Sequence, residues 1–387
     1  MKRIGWALFV MTTGANMPAP LFPFYQRQYH LSALMVTFLF AIYAICLIPC
    51  MLIVGSWAKH YDPKRLTLIG VSCAIVATGL FLWDHQAWQL FLARSMEGIS
   101  LGLFMGPGTA LFIQQSPSTS RIPVVTGASV MTMVGFGLGP LIAAITLGVF
   151  SARQEDVSYI LLLVALLSAW GGLATLTPRK RILSAFESSR QTISFSTRTR
   201  FWRLYAPAGF TLFALNGTAI ALIPADAARV FHTTNPLWAG ILLFVVLGGG
   251  GVVQFSHWPQ DAVQRIRWGM GCLLAGAWLM IAASFLQSPA LLLEGMALQA
   301  LGGGWTFQAA LYGVTHLTDF ASTAVIMSWF YIAAYVGMII PVLFTGWITD
   351  LWGLPTALGV LGVFMTTGGL VTLYQSKAPI PPSTLEE

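Results

Sequence analysis

Charge is what this chain has least of. Lys and Arg number 20 and Asp and Glu 13 among 387 residues, 9% of the whole. A soluble domain carries about 25%, so this chain cannot clothe a water-facing surface. Cysteine is also sparse: Cys46, Cys50, Cys73 and Cys272 all fall in apolar runs, which excludes a disulfide framework. Cys46 and Cys50 share one helix face, so a soft-metal site and plain packing are both open, with packing preferred. The sequence has no HExxH, no GxSxG and no GxxxxGK[ST]. Their absence speaks against a membrane-embedded enzyme and against direct ATP drive, and no cofactor is called for. Nor do apolar and polar residues alternate over ten-residue stretches, as barrel strands would.

What is abundant is apolar length. Hydrophobic residues make up 56% and the mean hydropathy is +0.75. A helix crosses the hydrocarbon with roughly 20 apolar residues. Twelve segments qualify: 4–24, 34–56, 66–83, 88–112, 122–150, 157–176, 204–226, 236–255, 268–286, 290–315, 322–349 and 354–374. The expected fold is an all-α integral membrane protein of twelve transmembrane helices. With the N-terminus inside, the inner loops hold Lys2, Arg3, Lys59, Lys64, Arg65, Arg179, Lys180, Arg181, Arg265 and Arg267, among others, and the outer ones only Arg27, Arg153 and Arg229. That bias sets both termini on the cytoplasmic side. The net charge of +7 is then a topology signal, and nucleic acid is not an expected partner. Met1-Lys2-Arg3 before an apolar run mimics a signal peptide. Pro18, Pro20 and Pro23 replace a cleavage site, so the segment reads as an uncleaved first helix.

The longest polar break, residues 177–203, is basic and separates six spans from six. It defines an N-terminal bundle over 1–176, a cytoplasmic linker over 177–203, a C-terminal bundle over 204–374 and a tail over 375–387. The halves repeat weakly: SMEGISLGLFMGPGTALF (95–112) lies over GMALQALGGGWTFQAALY (295–312) at an offset of 200, and Asp62, Gly70 and Cys73 recur as Asp261, Gly269 and Cys272. Two pseudo-symmetric six-helix bundles are one architecture of secondary transporters, with the substrate site between them.

Three stretches carry a family resemblance. Leu90-x-x-x-Arg94-x-x-Glu97-Gly98 places an arginine inside span four. Gly135-x-x-x-Gly139-Pro140 lies in span five. Gly55 to Arg65 follows span two, with Lys59 and His60 where an acid and an arginine are usual. Together they resemble the major facilitator superfamily, and the second resembles the GxxxGP motif of its drug–proton antiporters. Physics gives these residues meaning too. Small residues at every fourth position, as at Gly98, Gly102 and Gly106 and at Gly135 and Gly139, let helices approach closely. Pro140 removes a backbone donor. Asp62-Pro63 is an N-cap pattern for span three.

Arg94 and Glu97 lie three apart on one helix face. A charge at the bilayer centre costs about 2.5–3.5 kcal/mol, so both are expected to face protein or water, Arg94 about 9 Å in from the outer end. The offset of 200 sets Glu294 opposite Arg94 and suggests that the two pair when the outer mouth closes. Glu97 is the candidate proton carrier; a static pair that orients span four is the competing reading. Glu294, Leu298, Leu301, Trp305, Gln308 and Tyr312 share one face and read as a substrate wall. The resemblance implies that spans one, four, seven and ten line a central cavity, which adds Thr13, Asn16 and Asn216. Asp226 and Arg229 read as a snorkelled pair. The function implied is proton-coupled efflux of small amphipathic compounds, and the alternative is uptake of a polar nutrient or organic anion with Arg94 as carboxylate ligand. A sensor that binds without transporting is a third reading. The expected partners are a small-molecule substrate, a proton or Na+, and the bilayer of a bacterial cytoplasmic membrane, with the chain a monomer.

Overall fold

The computed structural model describes residues 2–57, 62–83, 86–115, 121–149, 154–177, 195–233, 235–256, 261–315, 317 and 320–375. Twelve long helices run through them: α1 Lys2–Asn16, α2 Ala33–Trp57, α3 Pro63–Leu82, α4 Ala87–Gln114, α5 Arg121–Val149, α6 Gln154–Ala174, α7 Ala206–Val230, α8 Leu237–Val253, α9 Ala262–Leu286, α10 Pro289–Thr315, α11 Phe320–Trp352 and α12 Leu354–Gln375. No strand occurs among the described residues. Eight of these helical stretches are long and apolar enough to cross a membrane on length and composition alone. Of the rest, α1 and α8 are shorter, and α4 and α10 carry the buried polar residues described below. Lys59, His60, Arg153, the 178–194 part of the linker and the tail from 376 lie outside the described residues.

Local chemistry sets the boundaries. The first span is not one helix: Pro18, Pro20 and Pro23 cannot continue the hydrogen-bond ladder. The chain instead passes from α1 through a 3-10 turn, Ala19–Leu21, into a short helix, Phe22–Gln28. Asp62 caps α3, its Oδ1 accepting the Lys64 N–H at 3.0 Å. Asp261 does the same for α9 through the Gln264 N–H at 2.9 Å. So α9 starts at Ala262, six residues before the sequence reading, and Arg265 and Arg267 belong to its first turns. Lys64 in turn donates from Nζ to the carbonyls of Ala174 and Leu176, at 2.8 and 2.6 Å, at the C-terminal end of α6, where a cation complements the helix dipole. Trp83, Trp88, Trp202, Trp268 and Trp352 are all more than half exposed near helix ends, as an aromatic belt requires.

The halves repeat, but in a corrected register. A Cβ built on Gly70 of α3 meets the Ser100 carbonyl and the Phe104 amide of α4; one on Gly269 of α9 meets the Gly302 carbonyl and the Thr306 amide of α10. Ser100 to Gly302 and Phe104 to Thr306 are both steps of 202 (302 − 100 and 306 − 104). The offset of 200 came from matching abundant Gly, Ala and Leu. On the contact register Arg94 corresponds to Met296, and Glu97 to Gln299.

Two seams join the halves. Along one, α5 meets α8: Gly137 faces the backbone of Gly248, and Gly240 packs on Pro140 and Ala144. Along the other, α2 meets α11, with Gly346 against Thr37. At the end of the molecule that holds Asp350, one buried apolar cluster runs unbroken from Leu21, Phe22 and Phe40 to Ile220, Val230 and Met338. At the Lys2 end the buried cluster around Phe201, Tyr205 and Phe330 comes from the C-terminal half, and Met133 of α5 packs against it from the other half. The apolar cores therefore fuse broadly at the Asp350 end and meet at the other through α5.

Candidate functional site

Arg94 is 1% exposed, and the reason lies in its partners. Its Nη1 donates to Glu97 Oε2 at 2.5 Å and to the Ala15 carbonyl of α1 at 3.0 Å, and its Nε donates to the Leu39 carbonyl of α2 at 3.4 Å. The guanidinium also lies over the Tyr43 ring, 4.8 Å from its centroid, a cation–π contact. The Ala15 carbonyl is open because α1 ends at Asn16, and the Leu39 carbonyl comes within reach because α2 passes close to α4: a Cβ on Gly98 would overlap the Tyr43 carbonyl. Gly102 packs on Leu47 and Cys50 of the same helix, whereas Gly106 meets nothing nearby. The expected close approach holds for two of the three glycines.

Tyr43 leads onward across the seam. Its phenol is electrostatically coupled to that of Tyr335 on α11, and Tyr335 packs edge-on against Phe213 of α7, with ring centroids 5.4 Å apart. A continuous path thus runs Glu97–Arg94–Tyr43–Tyr335 from inside the N-terminal bundle into the C-terminal one. Sequence reasoning missed both tyrosines. They stand in apolar helices with no charge nearby in sequence, and only the fold brings them to Arg94.

Glu97 does not face the space between the halves. It lines a cavity inside the N-terminal bundle, with Gly14, Thr78, Ser100 and Tyr159 in its walls. Its side chain is 12% exposed. Glu294 is exposed and is not paired with Arg94, whose acidic partner is Glu97. Helical phase explains this. On α10, Gly295 and Gln299 pack on α9, Ala300 and Gly304 on α8, and Gly303 approaches Leu212 and Asn216 of α7. At 3.6 residues per turn, the face of Glu294, Leu298, Leu301, Trp305, Gln308 and Tyr312 points away from α7. Accordingly Tyr312 is 53% exposed, and Trp305 donates from Nε1 to Ser256 Oγ at 2.9 Å. Gln308 Oε1 accepts from Arg265 Nη1 at 2.7 Å, and its Nε2 donates to the Gln254 carbonyl at 2.7 Å. Gln254 Oε1 accepts from Ser129 of α5 at 2.8 Å. This face is a polar brace near the Lys2 end, which reaches the other half through Ser129.

Thr13 and Asn16 are buried on α1. Thr13 donates to the Phe9 carbonyl at 2.8 Å, and its own carbonyl faces Gly139 of α5, where any Cβ would overlap it. A Cβ on Gly135 would overlap the Thr12 hydroxyl. Gly135 and Gly139 therefore seat α5 on α1, while Gly137 and Pro140, on its other face, meet α8. The GxxxGP stretch is a wall between the bundles. Asn216 Oδ1 is buried without a hydrogen-bond partner among the described residues. The cysteines are free, Cys50 donating to the Ile99 carbonyl at 3.3 Å, and no cluster of three metal-ligating side chains occurs among the described residues.

Asp350 was not singled out from the sequence. From the last turn of α11 it accepts the N–H groups of Ala33 at 2.7 Å and Leu34 at 3.0 Å, the first turn of α2 in the opposite half. Ser32 supplies that helix's own cap by accepting the Met35 N–H at 3.2 Å. Four N–H groups at a helix start lack intrahelical partners, and here the second bundle satisfies two of them.

Two six-helix bundles, two seams and one ion pair buried beside a seam define a multi-pass membrane protein of the two-bundle class. Residues 4–325 match the Major Facilitator Superfamily, and the chain belongs to that family. It is 28% identical over 209 residues to Multidrug resistance protein 1 of Bacillus subtilis (strain 168), a match covering 54% of this chain and 51% of that one. It is 26% identical over 133 residues to Quinolone resistance protein NorA of Staphylococcus aureus (strain MRSA252), covering 34% of each. The chain thus spans about half, and about a third, of these relatives. Among solved structures it resembles an inward-facing, occupied bacterial homolog of the human lysosomal transporter Spinster, with a TM-score of 0.77, 16% identity and coverage of 97% and 96%. It also resembles the human organic anion transporter MFSD10, with a TM-score of 0.70, 13% identity and coverage of 96% and 98%.

Proposed function

We propose that this protein is a secondary active transporter that exports small amphipathic compounds in exchange for protons, by rocking its two bundles about the α2/α11 and α5/α8 seams. The observation that carries the reading is the Glu97–Arg94–Tyr43–Tyr335 path. A buried titratable pair is joined through aromatic groups to the surface along which the halves must move. Protonation of Glu97 releases Arg94 from its acidic partner. The freed guanidinium then holds Tyr43 differently, and its interaction with Tyr335 changes with it. Two states with different contacts for one ligand are what coupling requires.

The names of the two relatives, multidrug and quinolone resistance, support export. Arg94 adds to this: two carbonyls, Glu97 and the Tyr43 ring already engage its guanidinium, which speaks against a carboxylate substrate bound there. We read the Lys2 end as cytoplasmic, the Lys and Arg bias along the chain supporting it, and the membrane as a bacterial plasma membrane. On that orientation the fused apolar core and the Asp350 contacts close the outer side.

The test is transport by the purified full chain in proteoliposomes, with a lipophilic cationic dye such as ethidium and an imposed pH gradient. The reading expects gradient-driven dye movement that stops when the gradient is collapsed. It also expects Glu97→Gln to move dye down its own gradient without responding to pH. Dye movement equal to that of empty vesicles would remove the proposal.

A further inference from the structure

A proton bound for Glu97 has two approaches, one from the seam between the halves and one from inside the N-terminal bundle. Arg94 stands across the first. Its guanidinium bonds the Ala15 and Leu39 carbonyls and covers the Tyr43 ring, so it lies between Glu97 and the seam where Tyr43 meets Tyr335. A fixed arginine in a narrow passage is an electrostatic barrier to protons.

The second approach is the cavity that Glu97 lines, of about 370 Å³ counting its mouth. Its walls run from Ala74 to Phe81 on α3 and from Tyr159 to Leu166 on α6. Seven residues of helix span about 10 Å, and Phe81 and Tyr159 mark the end on the Asp350 side. In the walls, Thr78 and Ser100 give their hydroxyl hydrogens to the Ala74 and Gly70 carbonyls, at 2.8 and 2.9 Å, which leaves their lone pairs to accept. With Glu97 they offer water the two to four polar partners that a buried site needs. Among the described residues α1 and α3 bring no titratable side chain into this cavity, α4 brings Glu97 and α6 brings Tyr159. Arg94 and Tyr43 are the other charged or titratable groups that Glu97 meets.

A hydroxyl pair shuts the cavity at the Asp350 side. Tyr159 Oη lies 2.9 Å from Tyr25 Oη, and both residues are 1% exposed. Phe81 stacks on the Tyr159 ring, with centroids 4.7 Å apart. Tyr25 stands on the short helix Phe22–Gln28, whose Arg27 and Gln28 are exposed. That helix packs against α7 of the opposite half, within the apolar cluster that closes this end. When the halves part here, the short helix loses α7 and Tyr25 meets water, while Tyr159 stays on Phe81. The equivalent cavity of the C-terminal bundle has Leu358, Leu361 and Gly362 from α12 and Gln299 from α10, and no tyrosine lines it among the described residues. The hydroxyl pair thus accompanies Glu97.

We infer that protons from the Asp350 side reach Glu97 through the N-terminal bundle itself, by way of Tyr25 and Tyr159, and not through the cleft between the halves. Outer water gives a proton to Tyr25 Oη, whose own proton passes to Tyr159 Oη. Tyr159 gives its proton to water in the cavity, and that water gives one to a Glu97 carboxylate oxygen. Each hydroxyl gains one proton and loses one, so the net change is one proton moved from outside to Glu97. Chains of this kind are how buried acids exchange protons in membranes. Tyr25 is sealed while this end is closed, so Glu97 takes outer protons only once the halves part there. The inference rests on Glu97 as the proton carrier of the export reading.

The experiment is time-resolved infrared spectroscopy of the purified full chain in lipid nanodiscs after a downward pH jump. The signal is the carboxylic acid C=O band that Glu97→Gln removes. Tyr25→Phe and Tyr159→Phe, which keep both rings, are each expected to slow the rise of this band several-fold without changing its final amplitude or the melting temperature. Thr78→Val, which removes a hydroxyl from the cavity wall, should slow it as well. Tyr335→Phe, on the cleft side of Arg94, should leave the rate unchanged. Unaltered rates in both tyrosine variants, or slowing by Tyr335→Phe alone, overturn the route. Slowed protonation without dye transport by the wild-type chain would keep the route and sink the export reading; pH-driven dye transport with unaltered protonation rates would do the reverse.

Discussion

Arg94 and Glu97 are the residues where the energetic stakes are highest. A buried pair adds little net stability against an apolar replacement, yet loss of one partner strands a charge and costs about 3–5 kcal/mol. Arg94→Met alone and Glu97→Leu alone should therefore each lower the melting temperature of the detergent-purified chain clearly. The double variant should recover most of the loss. Equal damage in all three would mean that the two side chains do not act as a pair. Transport separates the remaining readings: a stable double variant that still moves dye with the pH gradient would reduce the pair to an orienting device for α4. Tyr335→Phe is the gentler probe. It keeps the ring against Phe213 and removes only the hydroxyl that interacts with Tyr43. Little change in melting and a several-fold change in the rate of proton-driven dye transport is the expected outcome. An unchanged rate would take Tyr335 out of the path.

Among the elements, α5 and α11 hold the halves together by different chemistry. On α5, Gly139 leaves the Thr13 carbonyl no room for a side chain. Overpacking costs about 1–3 kcal/mol even where neighbours adjust, and backbone cannot move aside as a side chain can. Gly139→Leu should accordingly fail to accumulate as folded protein, while Gly106→Leu, which meets no neighbour, should accumulate normally; similar yields would refute the packing role. Both stretches read alike in the sequence, because glycine spacing records permission for close approach and not its use. The helices themselves were legible from apolar length and from the Asp62 cap. The break after Asn16 was signalled by Pro18, Pro20 and Pro23 but absorbed into one span by hydropathy. The α10 face was misread for a related reason. Period alone groups Glu294 with Trp305 and Gln308, but which way a face points depends on neighbours that the sequence does not name. A register shifted by two residues turns a helix by about 200°, enough to send an inward position outward.

Over the whole molecule, the conformation is set by contacts that must break for the halves to rock. At the Asp350 end these are the fused apolar cluster and the two N–H bonds that Asp350 accepts from α2. The two-bundle plan was legible from six spans on either side of a basic break, but the latch was not. Asp350 is one acid near the end of span eleven, and its partners are backbone groups more than 300 residues away, which carry no side-chain signature. Capping of this kind is worth about 0.5–2 kcal/mol, and the negative charge adds to it at a helix N-terminus. Asp350→Ala should therefore shift the balance toward the state open at this end by several-fold, without unfolding α2, which keeps its own cap at Ser32. Spin labels at the exposed positions Gln28 and Leu351, one in each half, would read the shift as growth of a longer-distance population. Asp350→Asn should fall between, since its side-chain oxygen still accepts one N–H but brings no charge. A distance distribution identical in all three proteins would show that the apolar cluster alone holds this end closed, and that the Asp350 bonds form after closure and do not decide it.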